Sequence, residues 1–84
     1  MNEKERALKD IKKLEAAIKE FEKTGLAEKY REPYNWAKNY LYDAKHYFEK
    51  EDYFTSFGCA NYAYGIIDGI LIHEGRKKEE YYET

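Results

Sequence analysis

The amino-acid sequence predicts an all-α fold, a three-helix bundle whose second and third helices form an antiparallel hairpin. Three observations carry this expectation. The 84 residues include no Val and few alternating apolar runs, which argues against sheet. Apolar residues recur at helical spacing in two stretches, and a third stretch is apolar nearly all round. Only Lys50-Glu51-Asp52 separates the second stretch from the third, which sets two neighbouring helices side by side.

The first helix is expected over about 3–23. Asn2, with Glu5 three residues on, reads as a capping box. Ala7, Ile11, Leu14, Ile18 and Phe21 form one narrow apolar seam, and Gly25 stands where a left-handed residue would end the helix. Glu5–Lys9 and Glu15–Lys19 add pairs four residues apart in the favourable orientation. The second helix is expected over 33–50, with Pro33 in its first turn. Its seam is Tyr34, Ala37, Leu41, Ala44 and Phe48, widened by Tyr40 and Tyr47. Leu26–Glu32 reads either as a loop or as an extra turn bent at the proline. The third helix is expected over 53–73, with Asp52 as N-cap and Gly75 as stop. Only Asp68 is charged between Tyr53 and Ile72, so this helix is expected to lie between the other two. Residues 1–75 are thus expected to form a single helical domain, followed by a charged tail over 76–84.

Composition narrows the function classes. The length suits one small domain and excludes a doubly wound nucleotide-binding fold or an eight-stranded barrel. Leu, Ile and Phe supply only 15 residues, but ten Tyr make up apolar area and the net charge is −2. A folded domain with a phenolic core is therefore expected rather than disorder. No run of ~18 apolar residues exists to span a membrane. The charged start, MNEKERALKD, has no apolar stretch behind it and does not read as a secretory leader. The single cysteine, Cys59, fits a reducing, cytoplasmic setting. Basic and acidic residues are interleaved, so no cationic stripe for nucleic acid is seen.

Catalytic chemistry finds little support, and no cofactor is expected. Asp43 and His46 lie three apart on one helix face, a spacing used by di-iron bundles, but such sites need a second motif and further glutamates. Ser56 and Cys59 have no His within helical reach. Small helical nucleases carry an Arg five residues before a His; Leu41 and Asp68 stand there instead. No metal or catalytic residue is assigned.

Two features ask for another explanation. Gly58, Gly65 and Gly69 fall inside the third helix, each at a cost of about 1 kcal/mol relative to Ala. They share a face with Asn61, Asp68 and Ile72. That face is read either as an internal close crossing of helices, the first expectation, or as a docking groove for a partner. The second feature is aromatic: residues 30–64 hold twelve of the fifteen aromatic side chains. Tyr30, Trp36, Tyr42 and Tyr62 sit poorly on the seams and are expected to be exposed.

Tyr40, Tyr42, Asp43, Ala44, Tyr47, Phe48, Asp52 and Tyr53, followed by Tyr62, Ala63, Gly65 and Asp68, resemble the archaeal family called domain of unknown function 357. The resemblance covers the second and third helices, about half the chain. One position departs: Glu51 stands where the pattern usually has Gly before the Asp. The hairpin also resembles a single tetratricopeptide unit, which cannot form a solenoid alone. The family resemblance implies a small archaeal helical protein with no assigned activity and supplies no catalytic residue. The function expected is a non-enzymatic helical interaction module, self-associating or docking on a protein partner. The alternative is a small nucleic-acid- or nucleotide-associated helical domain.

Overall fold

The computed structural model describes residues 1–76, and all regular structure among them is helical. The elements are α1 (Glu3–Lys23), α2 (Leu26–Lys29), α3 (Arg31–Glu49) and α4 (Tyr53–His73). Beyond Arg76, the expected charged tail lies outside the described residues.

Helix α1 starts at the expected capping box. Asn2 Oδ1 accepts the Glu5 N–H at 2.8 Å, and the Glu5 carboxylate accepts the Asn2 N–H at 3.4 Å. All five seam residues, Ala7, Ile11, Leu14, Ile18 and Phe21, are buried. The helix closes at Thr24, whose hydroxyl donates to the Phe21 carbonyl at 2.6 Å and accepts the Leu26 N–H at 3.1 Å. Gly25 follows at φ +80°.

The segment left open between loop and extra turn is a turn. Helix α2 occupies it and buries Leu26. Four helices therefore stand where three were expected. Tyr30 breaks the helical path at φ −116°, and α3 begins at Arg31 rather than at Pro33. Pro33 still lies in the first turn, where its missing N–H breaks no helical bond; the first bond is Tyr34 N–H to the Tyr30 carbonyl, 2.9 Å. The helix ends at Glu49, one residue short of the expected Lys50.

Helices α3 and α4 meet through small side chains. Ala37 and Ala44 of α3 are fully buried, as are Ser56, Ala60 and Ala63 of α4 to within 1 %. Ser56 Oγ donates to the Ala44 carbonyl at 2.6 Å, so a side chain of one helix touches the backbone of the other. Contacts then follow in opposite order along the two helices. Phe48 meets Tyr53 with ring centroids 5.2 Å apart, Tyr40 meets Tyr62 at 4.8 Å, and Tyr30 meets His73 at 6.4 Å.

Helix α1 packs along the other edge of α4. Arg6 lies over the Phe57 ring, Asp10 accepts from Asn61 Nδ2 at 2.9 Å, and Lys13 lies over the Tyr64 ring. Lys45 on α3 reaches Glu15 on α1 at 2.6 Å. Buried residues of α1, α2, α3 and α4 form one contiguous core.

The α3–α4 turn accounts for the departure at Glu51. The Glu51 N–H bonds the Phe48 carbonyl at 3.0 Å and the Asp52 N–H bonds the Tyr47 carbonyl at 2.9 Å, the paired closure of a Schellman motif. That closure requires a left-handed residue, and Glu51 sits at φ +63°. Asp52 then caps α4 by accepting the Thr55 N–H at 3.2 Å. A residue with a Cβ pays ~1–2 kcal/mol in this conformation, while glycine loosens the unfolded chain by ~0.4–1 kcal/mol. Glu51→Gly is expected to raise stability by roughly 1 kcal/mol, seen as a higher urea midpoint at unchanged slope. An equal or lower midpoint contradicts the strain.

Candidate functional site

At ~100° per residue, the buried stripe of α4 fixes what lies opposite it. Ser56, Ala60, Ala63, Ile67 and Ile70 face the core. Phe54, Gly58, Asn61, Gly65 and Gly69 face outward, and all five are exposed. A Cβ built at Gly58, Gly65 or Gly69 meets nothing within 4 Å. The expected internal crossing over these glycines is therefore incorrect. The reason is that alanines and Ser56 on the opposite side make the close α3–α4 approach, which turns the glycines away from the chain's own helices. The expectation that α4 lies between its neighbours is met only along its two edges; among the described residues, nothing covers its outer side.

The outer face is neutral. Asp68 is half-buried and shares the α1-facing edge with Phe57, Asn61 and Tyr64. Asn61 has its polar needs met locally, donating to Asp10 and to the Phe57 carbonyl, both at 2.9 Å.

An aromatic ladder borders the face on the α3 side. Trp36 stacks on Tyr40 with centroids 6.1 Å apart, and Tyr40 meets Tyr62 edge-on. Trp36 is 54 % exposed, Tyr62 61 % and Phe54 77 %. Two shallow grooves flank Tyr62. One is lined by Tyr40, Phe54, Gly58 and Cys59, the other by Pro33, Trp36, Tyr40 and Ile66. Phe54 was not among the residues singled out from sequence, although its place four residues before Gly58 puts it on the same stripe.

The remaining sequence candidates lie elsewhere. Tyr42 is exposed but points to another side of α3, well away from Trp36 and Tyr40. Tyr30, expected to be exposed, is half-buried: its hydroxyl donates to the Glu74 carboxylate, and its ring meets His73. The correction follows from α2, which brings Tyr30 against the end of α4. Of the family-pattern residues, Ala44 and Ala63 are core, Tyr47 and Phe48 half-buried, Asp43 half-buried, Asp52 a cap, and Tyr62 and Gly65 exposed.

The nucleophile and metal candidates of the sequence stand apart among the described residues. Ser56 is buried and committed to the Ala44 carbonyl. Burial, with Asp43 and Asp52 nearby, pushes the Cys59 thiol above its usual range, away from the reactive thiolate. His46 is exposed and packs on Tyr47. Among the described residues no group of three His, Cys, Asp or Glu could hold a metal, and no helix is long and apolar enough to cross a membrane.

These features define a class: a small protein whose described residues are all-helical and leave one uncharged helix face open. The chain belongs to the family described as Protein of unknown function (DUF357), whose model matches residues 9–73. No curated protein and no solved structure matches it.

The C-terminal end of α4 carries a pH-dependent tie. The Tyr30 hydroxyl and then Lys29 hold the Glu74 carboxyl below its ordinary 4.5, with Lys29 Nζ 2.9 Å away. A depressed carboxyl stabilises the fold above its unfolded pKa and loses that effect as pH falls through the folded value. Thermal melts should therefore show Glu74→Gln less stable than the parent near neutral pH, with the gap closing as pH falls below the ordinary 4.5 and through the lowered folded value. A gap that stays constant on acidification contradicts the tie.

Proposed function

We propose that this chain is a non-enzymatic interaction module, built as a three-helix bundle of α1, α3 and α4 that presents the outer face of α4 to a protein partner. In this reading α3 and α4 are an antiparallel hairpin, and α2 is an added turn. The observation that carries it is the open space above Gly58, Gly65 and Gly69. Three glycines in a helix interior cost about 3 kcal/mol relative to alanines. Among the described residues, nothing makes use of their smallness. A partner helix does: without Cβ atoms, backbones approach closely.

The surroundings support the same reading. Trp36, Phe54 and Tyr62 are large, exposed and close to the face. Tyr and Trp are favoured at interfaces because a ring can bury while its polar atom stays bonded. The absence of charge from the face suits an apolar protein surface and does not suit phosphates, whose binding rests on cations. Two cations beside it, Arg6 and Lys13, are turned onto Phe57 and Tyr64 at the α1 edge. A cytoplasmic setting accords with the one, half-buried cysteine.

Site-specific photo-crosslinking in the cells that make the protein tests this reading. A benzophenone side chain at Phe54 or Tyr62 should give protein adducts, and the same group at Lys12, Asn39 or His46 should give none. Silence at every position, or equal yield at the controls, contradicts it.

A further inference from the structure

We propose that the occupant of this face is a second copy of the same chain, with α4 packed antiparallel on α4 about a two-fold axis passing between Asn61 and Tyr62. The proposal rests on the interaction reading above and adds the partner and the register.

The spacing of large and small residues carries it. The exposed stripe is Phe54, Gly58, Asn61, Gly65 and Gly69. A two-fold between residues 61 and 62 sets Phe54 opposite the second copy's Gly69 and Gly58 opposite its Gly65. Asn61 and Tyr62, on either side of the axis, then each lie beside their own copy. The protruding ring at one end of the stripe meets the flat glycine at the other end, twice, and the two central glycines meet each other. A symmetric interface must be complementary to itself, and this stripe is.

Charge and area agree. Near the axis each Asn61 holds Asp10 at 2.9 Å, and Arg6 neutralises that carboxylate at 3.5 Å. The two Asp68 carboxylates would stand about 20 Å apart along the helix axes, beyond the ~8–10 Å over which surface charges act. Trp36, Phe54 and Tyr62 are each more than half exposed; at roughly 200 Å² per ring side chain they offer about 400 Å². The half-buried Tyr40 and Ile66 and the bare glycine backbone extend this along a helix about 31 Å long. The aromatic rings alone supply about half of the ~800 Å² per partner of a standard interface, and these residues add to it.

Sedimentation equilibrium of the full 84-residue chain tests the proposal, with the 10.1 kDa monomer mass as reference. The expected result is a concentration-dependent dimer. Gly65→Leu should weaken it by at least ~30-fold, the scale of a hot-spot residue. That variant has room for its side chain in the monomer, so its helical circular dichroism should be retained. The register is read separately by oxidation in a Cys59→Ser background. Asn61→Cys should link to itself; Phe54→Cys should link to Gly69→Cys on mixing, and neither of these two should link to itself. A monomer up to millimolar concentration overturns the second copy as occupant. Photo-adducts of another mass at Tyr62 would then leave the interaction reading standing, whereas no adducts would remove both. A dimer in which Phe54→Cys links to itself overturns the register.

Discussion

The close approach of α3 and α4 sets the rest of the structure. Its core is a Ser56 hydroxyl seated on the Ala44 carbonyl, with Ala37, Ala60 and Ala63 around it. A serine buried without a partner costs free energy; here its donor is satisfied by a backbone acceptor that α3 can offer at no loss to its own ladder. Because these small residues occupy one side of α4, its rotation is fixed. Phe57, Asn61 and Tyr64 fall on the α1 edge, Tyr62 and Ile66 on the α3 edge, and the glycines point away from all other described residues.

This explains why one expectation from sequence was inverted. Both alanines and glycines permit close packing, and α4 carries a row of each. Sequence pattern identifies two small-residue rows but not which one the chain uses for itself. Ala60 and Ala63 lack the backbone cost of glycine, so they serve inside without penalty. The glycines are the rarer choice in a helix, and they lie where no neighbour among the described residues demands them. Their reading therefore moves from internal crossing to external surface.

Much of the fold was legible because local signals agreed. The Asn2–Glu5 box, the seam of α1, the Asp52 cap and the stops at Gly25 and Gly75 all depend on residues close in sequence. Helix α2 was not decided by such signals: Leu26–Lys29 is short, and its stability comes from burying Leu26 against the core. Tyr30 was misplaced for the same reason, since its partners His73 and Glu74 lie more than forty residues away. Trp36, Tyr42 and Tyr62 were legible as seam outsiders; that Trp36 and Tyr62 join one ladder through Tyr40, while Tyr42 stands apart, required the helices to be set together. At Glu51 a departure from the family pattern met a backbone that favours glycine, which locates the price of that departure in one residue's φ.

The central claim is that the glycine face of α4 has no role inside the monomer. The most direct measurement is the chemical denaturation of the triple variant Gly58→Ala, Gly65→Ala, Gly69→Ala, followed by Trp36 fluorescence at concentrations low enough to keep both proteins monomeric. With open space above each position, the variant is predicted to be more stable than the parent by about 3 kcal/mol. A variant that is destabilised, or that loses cooperative unfolding, would show that the chain itself needs these glycines and would contradict the account.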